Sequence, residues 1–137
     1  MKKFAYLSIL VLFLLVACAP AKDACESIDG FASALRAGGA QVEVAEQIDQ
    51  EFFSVPAQRL VINGEDIQVL AYSTEESTKQ DSSQISADGY AIGTSMVTWI
   101  ATPHFFQCGK LIALYVGENS EMLNLLESQL GTQFAGG

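Results

Sequence analysis

The dipeptide Asn63-Gly64 constrains this chain more than any other feature. Both central positions of a two-residue hairpin turn need positive φ, and Asn-Gly adopts it at low cost. Such a loop pairs Ile62 with Glu65, Leu60 with Ile67 and Gln58 with Val69. That register puts Leu60, Ile62, Ile67, Val69 and Ala71 on one face and sends Arg59, Asp66 and Gln68 to the other. Turn chemistry and apolar pattern agree, so the chain contains an antiparallel hairpin with an apolar face to cover.

The neighbouring segments supply the cover. Ile28, Phe31, Ala32 and Leu35 fall on one helical face, and Gly38-Gly39 ends that helix. Gln41 to Glu46 alternates polar and apolar as a half-buried strand does, and Phe52, Phe53 and Val55, before Pro56, read as an extended piece. Ser73 and Glu76 have the spacing of a capping box, opening a short polar helix over residues 77–86. Residues 96–101 and 111–116 read as two further strands. The second is apolar on both faces, so it belongs in the middle of the sheet, and Trp99 is its largest neighbouring core candidate. A last helix starts at Asn119 or Ser120, buries Met122, Leu125, Leu126 and Leu130, and stops at Gly131. The expected fold is a single α+β domain over 23–137, with a mostly antiparallel sheet of about five strands and helices packed on one face.

The start of the chain carries an address. Lys2-Lys3, an apolar run from Phe4 to Val16, and Ala17 before Cys18 have the three parts of a secretory signal. The run is shorter than the ~20 residues a membrane-crossing helix needs. Leu15-Val16-Ala17-Cys18 resembles the lipobox of bacterial lipoproteins. The resemblance implies cleavage after residue 17, a diacylglycerol on the Cys18 thiol and often an acyl chain on its new amine. Residues 18–22 then form a lipidated tether. Two or more acyl chains hold a protein stably on a bilayer, where one is marginal. The expected location is the outer face of the cell membrane; Ala19 after the cysteine fits an outer membrane where the envelope has one. The stretch from Trp99 to Gly137 also resembles small bacterial lipoproteins of unassigned activity, which implies no chemistry.

Charge and composition exclude some partners. Removing Lys2 and Lys3 from the seven basic residues leaves five against sixteen acidic ones. An acidic surface repels phosphate backbones, so nucleic acid is not an expected partner. It repels anionic headgroups too, leaving membrane attachment to the lipid. With Cys18 assigned to lipid, Cys25 and Cys108 are either a disulfide, in a compartment where disulfides persist, or two free thiols.

Candidate chemistry is sparse. His104 is the one histidine, placed by Pro103 in a turn between strands. A catalytic role would need a nucleophile and an orienting acid. Ser95 or Ser120 with Asp88 are the available partners, and no nucleophile-elbow motif supports them. No metal-ligand spacing, calcium loop or phosphate loop occurs, and no catalytic residue, metal or cofactor is expected. Phe105 and Phe106, adjacent to His104, point to opposite sides of any extended backbone, so His104, Phe105 and Phe106 form a candidate contact surface. The expected function is a non-enzymatic protein-interaction module of the cell envelope, engaging another envelope protein. A small-ligand binder with a pocket near Trp99, Phe105 and Phe106 is the alternative, and a hydrolase using His104 comes third.

Cys18→Ala is expected to leave the chain unprocessed or to release it from membranes. Labelling with a fatty-acid analogue followed by fractionation checks this; an unlabelled wild-type chain would contradict it.

Overall fold

The computed structural model describes residues 22–137; the signal segment, Cys18 and the tether before Lys22 lie outside the described residues. A short 3₁₀ turn, Lys22–Cys25, leads into helix α1, Ile28–Ala37. The Ser27 hydroxyl oxygen caps α1 by accepting from the Gly30 amide at 3.0 Å. Strands β1 (Val42–Ile48), β2 (Ala57–Ile62) and β3 (Glu65–Ala71) follow. Next come α2 (Glu75–Ser82), the short pair β4 (Ala91–Ile92) and β5 (Ser95–Met96), and the long pair β6 (Pro103–Cys108) and β7 (Leu111–Val116). Helix α3 (Ser120–Leu130) and β8 (Ala135–Gly136) close the chain.

The fold is α+β, with an antiparallel six-stranded sheet ordered β1-β2-β3-β7-β6-β8 and β4-β5 apart from it. The β2–β3 hairpin has the register read from Asn63-Gly64: Ile62 faces Glu65, Leu60 faces Ile67 and Gln58 faces Val69. Asn63 and Gly64 both take positive φ, at 49° and 86°. As its two-sided apolar pattern requires, β7 lies inside the sheet, between β3 and β6.

The sheet separates two apolar layers. On one face, Leu60, Ile62, Ile67, Val69, Phe106, Leu111, Ala113 and Tyr115 pack with Phe31 and Leu35 of α1 and Met122, Leu126 and Leu130 of α3. On the other, Leu70, Ile112, Leu114 and Phe105 pack with Phe53, Tyr72, Ile85 and Ile92. Helices are therefore not confined to one face, because α2 and the loop after it cover part of the second.

Four local expectations are corrected. The cap of α2 is Thr74, whose hydroxyl oxygen accepts from the Ser77 amide, not Ser73. Residues 52–55 form bends rather than a strand. Of the strand expected over 96–101, only Met96 pairs, with Ala91; Trp99 is half-buried at the surface rather than central to the core. The strand beside β7 is instead β6, which begins at Pro103, a position where a missing amide costs the ladder nothing.

Cys25 and Cys108 form a disulfide, with Cα atoms 5.2 Å apart and a sequence separation of 83. The bridge fastens the start of the domain to the β6–β7 turn. There the Lys110 amide donates to the Cys25 carbonyl at 2.8 Å, and its Nζ pairs with Glu26. Closing a loop of this length restricts the unfolded chain by about 4–5 kcal/mol in the chain-entropy model.

Replacing both Cys25 and Cys108 with Ser is expected to lower unfolding stability by about 2–5 kcal/mol in urea titrations. Non-reducing peptide mapping of the wild-type protein should show the crosslinked pair, and alkylatable thiols at both positions would contradict the bridge.

Candidate functional site

His104 is not in a turn. It lies on β6, 6% exposed, with its ring stacked on Tyr115 at a centroid distance of 6.1 Å. Nε2 donates to the Gly117 carbonyl at 3.0 Å, and Nδ1 is paired with Oε1 of Gln133 at 2.7 Å. The Gln133 amide nitrogen in turn donates to the Gly136 carbonyl at 2.6 Å. The ring thus ties β6 to the loop before α3 and to the C-terminal tail. Neither nitrogen meets a serine, a cysteine or a carboxylate. Ser95, Ser120 and Asp88, its conceivable catalytic partners, are not among its hydrogen-bond partners; Asp88 instead accepts from the Ser86 hydroxyl and the Tyr90 amide. Those two bonds, the hydroxyl first, hold the Asp88 carboxyl below the usual carboxylate range.

The contact surface expected at His104, Phe105 and Phe106 is also corrected. Phe106 points into the layer under α1 and α3 and Phe105 into the opposite layer, and both are fully buried. Alternation along β6 does send them to opposite faces, but the sheet is covered on both sides at that level.

What remains open is the other half of the second face. An open groove of about 430 Å³ is floored by Arg59, Asp66 and Gln68 of the hairpin and by Leu114 and Val116 of β7. Thr98, Trp99 and Ile100 form its wall. A second hollow of about 410 Å³ shares Gln68 and Trp99 and is bounded by the segment from Ile48 to Phe52. Trp99 therefore stands between two depressions. Beside it, Ile100 is 100% exposed and Met96 79% exposed.

The groove is stiffly built. The indole Nε1 of Trp99 donates to the Gly89 carbonyl at 2.8 Å, and its ring meets Phe105 edge-on at 6.1 Å. Gly89 has φ 76°, and a Cβ there would come within 3.1 Å of both Phe105 and Pro103, so only glycine lets this loop lie so close to the sheet. The second hollow is held by Asp81, a buried carboxylate of α2. Its Oδ2 accepts from the Ser54 amide and hydroxyl, both at 2.8 Å, and from the Tyr72 hydroxyl at 3.0 Å. Burial, reinforced by the Asp81 carboxylate, pushes the Tyr72 phenol well above its ordinary range.

Charge at the groove is dominated by carboxylates. The Nε and Nη2 atoms of Arg59 bind Glu46 at 2.9 and 2.8 Å, while Nη1 binds Asp66. These bonds hold the guanidinium even further above its usual range, and the Arg59 bond pulls the Glu46 carboxyl down. Asp49 and Glu51 add to the rim of the second hollow, while Glu65, at the edge of the groove, turns its carboxylate to Tyr115 and Asn119 on the α3 side. Among the described residues, no group of three His, Cys, Asp or Glu side chains could hold a metal ion. No helix among them is long and apolar enough to cross a membrane.

No family model matches the sequence, no curated protein matches it, and no solved structure matches the fold.

His104→Ala is expected to lower stability by about 1–3 kcal/mol, as loss of a buried hydrogen-bonded group does. A urea unfolding midpoint identical to wild type would contradict the bracing role.

Proposed function

We propose that the chain is a lipid-anchored, extracytoplasmic protein-interaction module of the cell envelope, held by lipid on Cys18. The observation that carries this reading is the pairing of a rigid groove with the exposed Trp99–Ile100 ridge. A monomeric surface gains nothing from a fully exposed isoleucine beside an immobilised tryptophan, whereas interfaces concentrate such anchors at their centres.

The position of the ridge supports the same reading. The disulfide and the Gly109-Lys110 turn lie at one end of the central strands, and Gly64, Val116 and Ile100 lie around the groove at the other. A six-residue strand spans about 20 Å. The segment from Cys18 to Lys22 adds a reach of up to about 14 Å. A lipid on Cys18 would thus attach at the end of the domain far from the groove, which leaves the groove free to meet other envelope proteins.

A small-ligand reading has one observation in its favour: the groove volume lies within the range of small-molecule sites. Its openness to solvent favours a macromolecular contact, since small ligands bind where most of their surface is enclosed.

The test uses the intact lipoprotein in its native envelope, with a photo-crosslinking amino acid at position 100 and a control at exposed Ser128 on α3. A discrete higher-mass adduct from position 100, absent from position 128, is expected. No adduct from position 100, or the same ladder from both positions, would overturn the reading.

A further inference from the structure

We propose that the groove receives an extended segment carrying both lysine or arginine and apolar side chains, supplied by the partner protein. This rests on the interaction-module reading and adds the chemistry of the partner. The walls supply one half of the argument. Trp99, Ile100, Leu114 and Val116 offer apolar contact, and the Trp99 indole is already fixed by Gly89 and Phe105. A partner side chain packing there loses freedom only on its own side, which favours binding by preorganisation.

The rim supplies the other half. Asp49 and Glu51 border the second hollow, and Glu46 and Asp66 bind the arginine at the floor of the first. Arg59 is the one basic residue in either lining, and its guanidinium is committed to Glu46 and Asp66. The nearby carboxylates lie within about one Debye length of a segment seated in the groove, so their fields add. Apolar walls concentrate that field. An acidic segment would have to bring like charge against these carboxylates. A wholly apolar one would bring no counter-charge to Asp49 and Glu51, which take part in no ion pair among the described residues, and would forgo that attraction. A basic-apolar segment satisfies both features together. Gln68 lies between the hollows, with Oε1 accepting from Gln50, and its position lets one segment run from the Asp49–Glu51 rim past Trp99 to Asp66.

The sole tryptophan of the chain is the reporter for this site. The probes are two synthetic peptides of about twelve residues sharing a Leu-Ser frame without aromatic residues, one bearing lysines and the other glutamates at the same positions. Titrated into the disulfide-bonded domain at about 0.05 M salt, the lysine peptide is expected to shift Trp99 emission and to bind at least about tenfold tighter than the glutamate peptide. Most of that difference should vanish at about 0.5 M salt. The double variant Asp49→Lys/Glu51→Lys, at two exposed positions, should reverse the preference, a gain that damage to the fold cannot imitate. Lys79→Glu, on α2, should change neither affinity more than about twofold. Equal binding of the two peptides, preference for the glutamate peptide, or no binding of either overturns the proposed partner chemistry. A crosslink from position 100 that persists in such a case would leave the interaction-module reading standing.

Discussion

Five residue pairs, from Ile67 with Tyr115 to Ala71 with Leu111, join the β2–β3 hairpin to the β6–β7 hairpin. A lone two-stranded hairpin is marginal in water, and three or more strands with covered faces are needed for stability. The β3–β7 pairing turns two hairpins into one sheet and lines up their apolar residues on both sides. Ile67, Val69, Ala113 and Tyr115 then share a face that α1 and α3 can close. Leu70, Ile112 and Leu114 share the opposite face. Full burial of each such side chain stabilises by roughly 1.5–3 kcal/mol, so a polar residue at any of these positions would remove support from both hairpins.

The groove follows from how the second face is closed. The layer formed by Tyr72, Ile85, Ile92 and Phe53 reaches Trp99 and Val116 at its margin and leaves Arg59, Asp66 and Gln68 uncovered. Asp81 sets one boundary by drawing Ser54 and Tyr72 together, and the Trp99–Gly89 bond sets the other. The same polar contacts that satisfy buried groups also fix the walls of the open hollow, so a rigid scaffold and an exposed contact ridge have one origin.

Much of this architecture was legible in the sequence because it is local. Asn63-Gly64 specified its register through turn geometry, and the two-sided apolar run of β7 specified its central place. Residues 97–101 look like a strand, but β3 and β6 already occupy both edges of β7, so they cannot pair beside it. Pro103-His104 concealed β6, because a proline and a histidine read as a turn until Gln133 and Gly117 are seen to satisfy the ring. α2 is almost wholly polar, and its burial depends on Tyr72 and Ser54, partners that no helical period reveals. The candidate site was legible only at Trp99, named with Phe105 and Phe106 as a pocket, and the rest was missed for the same reason. Arg59, Gln68 and Trp99 are brought together only by the tertiary fold, and the two adjacent phenylalanines that drew attention instead fill the two layers.

The central claim is that the Trp99–Ile100 ridge is covered by a partner in the envelope. Hydroxyl-radical footprinting tests it most directly by comparing the protein in native envelopes with the purified protein. Met96, Trp99 and Ile100 should be protected in the envelope, while Tyr90 and Phe134, both exposed and outside the groove lining, should be oxidised equally in the two samples. Equal oxidation of all five residues in both samples would contradict the account.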